Sequence, residues 1–508
     1  MKFLFYIQRL EDAHMAHAMA STLQERLSVS EFAAITFRQA PEGNYLLGQA
    51  NAFFSKVLSE TEMHRRAENC SIDAGYIEKL ESRYGLPFWQ YVTQNRFLIM
   101  KRANYLHRFG TPYTREELIN HVYTRFDMIE RFLDAFKADV IVFPVDVGPS
   151  SALILERIAR ERNIPVFVPI SAKIGSYHTL IDTVLSKATH IENRFKCLQS
   201  GQESPNKDKA QKLIETFRQG HLIPSYVQGV TTDNFEKKLP FKSALERTLN
   251  IIKLRLEKGV FQEKQGEIFN VSQLQYDLDR AAGYYRRFRL RYGEYFHNVK
   301  VGEKYFFFPF HVEPELALLL YAPFHTHQSS IMQNVAQSLP WDTCLYVKEH
   351  PQAVGTKDMG FYNRVRSTAN VKMIYPHVSS RALIAGSNGV VTITGTAGME
   401  AMLMNKPAIT LGDVFYNFVP KLVQRAQSIE ELPQRIRSLS SFQPDEGILN
   451  HFVSAILDES VEVDPEGLAA RLLPLSLAEK RKHPELITYT DFLIQTIQHR
   501  FTPPRAIL

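Results

Sequence analysis

The chain has 508 residues, of which 44% are hydrophobic and 22% charged, with a formal charge of +6 at neutral pH. That length exceeds what one hydrophobic core serves, so two domains plus an insertion or tail are expected, and the composition excludes a disordered or fibrous chain. The charge is too diffuse to argue for nucleic acid, yet it suits anionic ligands or an anionic membrane surface.

In chain order, Lys2 to Ile7 reads as a buried first strand. Its apolar run stops before Gln8 and Arg9, too short for a signal-peptide core. The turn from Gln8 to Asp12 feeds a helix through residue 27, and Phe32 to Phe37 gives a second strand. Residues 45 to 137 are mainly helical by periodicity, with Phe88, Trp89, Tyr91 and Phe97 set to pack on the sheet. Ala138 to Pro144 is a third strand, followed by Asp146-Val-Gly-Pro-Ser-Ser, a helix over 151–162, and a strand from Pro165. Strand, helix, strand at this spacing predicts a parallel sheet. A first Rossmann-like domain is therefore expected over 1–198.

Residues 199–300 read as a polar linker and a helical insertion ending in the run Tyr284-Tyr-Arg-Arg-Phe-Arg-Leu-Arg-Tyr. That run suits either anionic lipid or a helix face with snorkelling arginines. From Lys304 the βα pattern resumes, with strands at 305–310, 343–347, 371–374, 389–393 and 408–411 separated by helices. This predicts a second Rossmann-like domain over 301–425, followed by a helical region over 426–508. The three cysteines, Cys70, Cys197 and Cys344, lack metal-ligand spacing and point to a reducing compartment. No run of about 18 apolar residues occurs, so no membrane span is expected. A cytoplasmic protein without a metal is the resulting expectation.

Two stretches carry the chemistry. In Tyr346-Val-Lys-Glu-His-Pro, the pleat places Tyr346, Lys348 and His350 on one side, and Pro351 ends the strand. In Thr392-Ile-Thr-Gly-Thr-Ala-Gly-Met-Glu, an apolar strand runs into Gly395 and Gly398, whose turn aims backbone N–H groups and a helix N-terminus at an anion. The hydroxyls of Thr394 and Thr396 are placed to assist, and Glu400 to reach a ribose diol. Glu400 lies four residues from Thr396 where a capping box requires three, although a first-turn carboxylate also suits the helix dipole.

Phe308-Pro-Phe-His-Val-Glu-Pro-Glu delivers His311, Glu313 and Glu315 to a loop facing the expected cleft, as acid/base or acceptor-binding candidates or as a solvated loop shaped by Pro314. Gln328 opens the next helix. Asp146 is the corresponding carboxylate of the first domain, either a base or an ordinary loop aspartate. Asp277-Leu-Asp279 falls in a helical pattern, where such a pair does not share a face, and His483-Pro484 follows no strand; neither is assigned a role.

These motifs, with Leu339-Pro340, Lys406-Pro407, Leu411-Gly412 and Phe415-Tyr416, resemble the capsule polysaccharide biosynthesis proteins, a bacterial family that includes Kdo transferases. The similarity runs best over 304–416, with a fainter one at 171–182. It implies an α/β chain of two Rossmann-like domains in a GT-B-like arrangement. The implied activity is metal-independent glycosyl transfer in surface polysaccharide synthesis, from a nucleotide-activated, CMP-linked sugar to a glycan or glycolipid acceptor. No cofactor is implied beyond that donor. By this resemblance His350 would contact the nucleotide phosphate, Thr394 and Thr396 its oxygens, and Glu400 the ribose. The chain lacks the Glu-Asp-Gly motif of the capsular Kdo enzymes in its first half, and His327 stands where many relatives carry an acidic residue. A nucleotide-sugar epimerase of the same architecture and a non-catalytic assembly scaffold are the alternatives.

Overall fold

Backbone groups in a sheet buried on both faces must be paired within it, so long apolar strands alternate with helices that cover them. A computed structural model shows two such sheets and describes residues 1–49, 54–70, 72–99, 111, 113–148, 151–220, 249, 253, 273–313 and 315–500. Residues 221–238 of the expected linker, 240–248 and 254–272 of the expected insertion, Ser150 and Pro314 lie outside the described residues.

The first sheet contains β1 (Lys2–Ile7), β2 (Glu31–Thr36), β3 (Phe54–Ser59), β4 (Val140–Val142), β5 (Val166–Ser171), β6 (Tyr177–Ile181) and, from far downstream, a strand at Val461–Glu462. Its order places β3, β2, β1, β4 and β5 side by side in parallel, with β6 and then Val461–Glu462 added antiparallel at one edge. The parallel strands reverse direction of winding between β1 and β4. Strand β3 falls within the stretch expected to be helical. It is an edge strand with Ser55 and Lys56 exposed, so it lacks the continuous apolar run that marks its neighbours.

The second sheet holds β7 (Tyr305–Pro309), β8 (Cys344–Lys348), β9 (Val371–Ile374), β10 (Val390–Thr392), β11 (Ala408–Thr410) and β12 (Val423–Arg425), and the late strand Val461–Glu462 is then β13. Its order, β12-β11-β10-β7-β8-β9, is all parallel and doubly wound, with the reversal between β7 and β10. Strand β12 is a sixth where five were expected. Its Gln424 and Arg425 are only half-buried, so the segment carries no apolar signature. The two sheets form the expected pair of Rossmann-like domains in a GT-B-like arrangement.

The end of the chain returns to the first domain. Helices 465–472 and 484–500 bury Leu468, Leu472, Leu493, Ile494 and Ile497 in one cluster with Phe3, Phe5, Ala16 and Met19. Tyr489, 1% exposed, donates its hydroxyl to the Pro144 carbonyl at 3.2 Å and so braces the loop after β4. Because these side chains complete the core under β1, Ile494→Ala is expected to destabilise the first domain by about 2–5 kcal/mol. Urea unfolding followed by circular dichroism checks this; a loss confined to fraying of the last helix would contradict it.

Candidate active site

In doubly wound sheets the helices cover opposite faces on either side of the reversal, which leaves an open crevice at the carboxyl ends of the two central strands. Both crevices of this protein hold sequence-predicted residues, and both are cross-braced. In the first domain, Gln8 after β1 grips the loop after β4: its Nε2 donates to the Asp146 carbonyl at 3.3 Å and its Oε1 accepts the Gly148 N–H at 3.1 Å. In the second, His311 after β7 accepts the Thr394 N–H at its Nε2 at 3.3 Å, linking the loop after β7 to that after β10.

Gln328 fixes His311 through its backbone, accepting the His311 N–H at 2.6 Å and donating to the His311 carbonyl at 3.0 Å. Its amide also donates to Glu313, which is buried. Lys357 donates to the same His311 carbonyl at 3.3 Å and to the buried Glu349 at 3.2 Å. Burial, then the nearby charges of Lys357, His350 and Lys173, push the His311 imidazole down to about 4. It is therefore neutral near pH 7, and with Nε2 accepting, its proton sits on Nδ1.

The turn into helix 396–403 is tighter than a free anion cradle. Gly395 donates its N–H to Thr392 Oγ1 at 3.0 Å, Gly398 donates to the Gly395 carbonyl at 3.2 Å, and Thr394 gives its hydroxyl proton to the Ala317 carbonyl at 2.9 Å. A side chain at Gly395 would stand 2.6 Å from Thr392 Oγ1, and one at Gly398 2.7 Å from the Tyr416 hydroxyl, which itself donates to the Gly395 carbonyl at 2.8 Å. Both glycines thus serve close packing as well as the turn. What remains for an anion is the start of helix 396–403, where Gly395 provides no side-chain cap.

Lys348, at the end of β8, donates to the Val378 carbonyl at 2.6 Å and to Ser380 Oγ at 2.9 Å. Burial lowers it to about 8, against the opposing pull of Glu400. Glu400 is raised by burial, with Arg381 and Lys348 drawing it back, and His350 is lowered by burial and by Lys348 and Lys357. Lys348, Glu400 and Arg381 therefore form one charged sector beside the helix start.

The two domains enclose a cavity of about 400 Å³ lined from the first by Asp146, Lys173, Arg96 and Ser171 and from the second by Glu315, Tyr321, Thr394 and Tyr416. Ser186 and Phe415, also in its wall, join the domains through a 3.2 Å bond from the Phe415 N–H to Ser186 Oγ. Removal from bulk water raises Asp146 to about 6, opposed by Lys173 and by the Val147 N–H at 2.7 Å. Glu315 is open to the cleft, but the water reaching it is confined between the domains, and its carboxyl rises to about 7 against Arg96, Lys173 and Lys357.

The structure thus brings Asp146, Glu315 and Thr394 into one cavity, with His311 bonded to its edge. Lys348, His350 and Glu400 lie outside the cavity wall, in the neighbouring sector of the same sheet edge. Gly395 and Thr396 open the helix that joins the two regions, and Gly398 packs behind it. Sequence reasoning missed Gln8, Arg96, Lys173, Tyr321 and Lys357 as site residues. Lys173 sits in the segment 171–182 that carried the fainter family similarity; the others have no local pattern that marks them.

Residues 278–438 match the family described as capsule polysaccharide biosynthesis protein. Most of the helix before β7 and all of the second sheet therefore lie within the matched region, and the resemblance drawn from 304–416 is borne out. Protein FixF of Sinorhizobium fredii is 28% identical over 187 residues, covering 34% of this chain and 44% of FixF, so the match spans less than half of that relative. Among solved structures, the beta Kdo 2,7 transferase KpsC of Thermosulfurimonas dismutans aligns at 14% identity and a TM-score of 0.31, over 68% of this chain and 81% of its own. UDP-GlcNAc 2-epimerase of Methanocaldococcus jannaschii aligns at 14% identity and 0.29, over 88% and 94%. Superpositions this loose say nothing about substrate.

The raised carboxyls have a thermodynamic consequence. Folded values of about 6 and about 7 for Asp146 and Glu315 lie above the unfolded range near ~4, so their contribution is full below pH ~4 and is lost as pH rises through 6 to 7. Glu315→Gln should leave stability at pH 4 unchanged and raise it at pH 8, on the order of 1 kcal/mol after screening by cleft water. Thermal melts across that range check the sign.

Proposed function

We propose that this chain is a glycosyltransferase of bacterial surface polysaccharide assembly that takes a nucleotide-activated, CMP-linked sugar. One observation carries the reading: two carboxyls from opposite domains, Asp146 and Glu315, face one cavity beside the start of helix 396–403. The match of residues 278–438 to a capsule polysaccharide biosynthesis family supports it.

In this proposal the nucleotide phosphate rests at the helix start, where the dipole and His350 offset its charge, and Glu400 takes the ribose. Asp146, ionised near neutrality, accepts the proton of the acceptor hydroxyl, whose oxygen bonds to the anomeric carbon as the bond to phosphate breaks. Glu315, near half-protonated at pH 7, gives its proton to the departing phosphate oxygen and is restored from solvent. Charge neutralisation is assigned to the helix and basic side chains rather than to a metal. The acceptor in this reading is a glycan or glycolipid.

No described helix is long and apolar enough to cross a membrane. Tyr285 and Tyr292, each 60% exposed on helix 273–292 beside Arg289, support peripheral contact with an anionic inner-membrane surface as part of the proposal. A cytoplasmic placement completes it.

Thermal-shift and calorimetric titrations with CMP, UDP, GDP and their sugars test the pocket, since a ligand that binds the folded state alone raises the unfolding midpoint. His350→Ala and Glu400→Ala should each weaken nucleotide binding about tenfold, a cost of ~1.4 kcal/mol, with the unliganded midpoint unchanged. Equal affinity for all three nucleotides would sink the assignment. Product analysis separates the activities: nucleotide release that requires acceptor supports the transferase, acceptor-independent isomerisation indicates an epimerase, and binding without turnover indicates a scaffold.

A further inference from the structure

Six described residues other than glycine have a positive φ: Ser28, Lys137, Asn163, Lys173, Glu294 and Asn405. Five of them close helices, lying within two residues of helix ends at Leu27, Phe136, Glu161, Tyr292 and Leu403, where a left-handed residue satisfies the last carbonyls. Lys173 is the exception among the described residues. It stands at φ +61° in the hairpin between β5 and β6, and a lysine in that region carries a steric cost that a glycine would not.

The turn is tied closely enough to impose that conformation. The Lys173 N–H donates to Ser171 Oγ at 3.2 Å, the Ala172 N–H to the Tyr177 carbonyl at 2.9 Å, and the Tyr177 N–H to the Ile174 carbonyl at 3.1 Å. The hairpin tip lies at the carboxyl end of β5, and there Lys173 lines the same cavity as Asp146 of its own domain and Glu315 of the other. A strained backbone persists where the surroundings over-determine it, and such positions cluster at functional sites.

We propose that Lys173 couples the two carboxyls of the interdomain cleft electrostatically, its ammonium favouring the ionised form of both Asp146 and Glu315 from the wall they share. Its ammonium is the cation that acts on both groups from the cleft wall. Asp146 also faces Glu466, which opposes ionisation, and lies beside Tyr321 and Tyr489; Glu315 also faces Arg96 and Lys357. Lys173 in turn bears on His311, and on His178 of β6, both of which it disfavours as cations. Of the two carboxyls, Arg96 and Lys357 bear on Glu315 and not on Asp146, so among the described residues Lys173 is the cation the pair shares. In the reaction proposed above Lys173 is a positioning residue, and that part rests on the transferase reading; the electrostatic coupling does not.

The test uses the full chain without ligand. Unfolding midpoints are measured from pH 4 to 9 for wild type, Lys173→Met, Lys173→Arg, and Lys173→Met in an Asp146→Asn, Glu315→Gln background. Loss of the cation should move the pH at which stability falls upward by about one unit, while Lys173→Arg keeps the wild-type profile. In the double-amide background Lys173→Met should move nothing. A uniform drop in midpoint with an unmoved pH profile would reduce Lys173 to a structural turn residue, and a shift that survives in the amide background would assign its charge to other groups. If Lys173→Met does not fold, Lys173→Gln takes its place with the same readings. None of these outcomes depends on a donor, so they stand apart from failure of the nucleotide titrations.

Discussion

An open parallel sheet covered on both faces has few places where a polar side chain can meet a ligand, and the crevice at the strand-order reversal is the principal one. Here two such crevices are turned toward each other, and each is cross-braced by side chains. The Gln8 amide bonds both sides of the loop after β4, and the His311 ring accepts the Thr394 N–H between the loops after β7 and β10. Asp146 and Glu315, from the two domains, line one cavity of about 400 Å³.

The chemistry of that cavity follows from its partial dryness. Water confined between two domains solvates ions less well than bulk water, so carboxyls rise and amines and imidazoles fall. The same condition raises Asp146 and Glu315, lowers Lys173 and keeps His311 neutral. Groups of opposite charge partly offset each effect, and Lys173 does so for both carboxyls. The nucleotide side is built differently, from a helix start with no side-chain cap and a Lys348–Glu400–Arg381 sector beside it.

The legible parts of the sequence were those whose signal is local. Buried parallel strands announce themselves as apolar runs, so β1, β2, β4, β5 and five strands of the second sheet were readable within a residue or three. Strands β3, β6, β12 and β13 were not: β12 and β13 are short edge strands with half-exposed residues, β3 is an edge strand with Ser55 and Lys56 exposed, and β6, though buried, carries Tyr177, His178 and Thr179 in place of an apolar run. Thr394 and Gly395 were visible because a turn from strand to helix constrains residue type at fixed spacing. That Gly398 packs against Tyr416, and that the Thr394 hydroxyl is already committed to Ala317, depends on residues far away in the chain.

Periodicity and contiguous motifs are enough to read off two βα domains, the polar strand ends after β8 and β10, and the acidic groups Asp146 and Glu315 as candidates. Which of these meet depends on the packing of the two domains, and the fold supplied that. It set Asp146, Glu315 and Thr394 in one cavity, left Lys348, His350 and Glu400 in the sector next to it, and brought Lys173 to the same cavity wall from a hairpin tip. It also returned the last helices to the core beneath β1. Proximity across more than a hundred residues is set by how two sheets pack, and no local pattern of residue types encodes it.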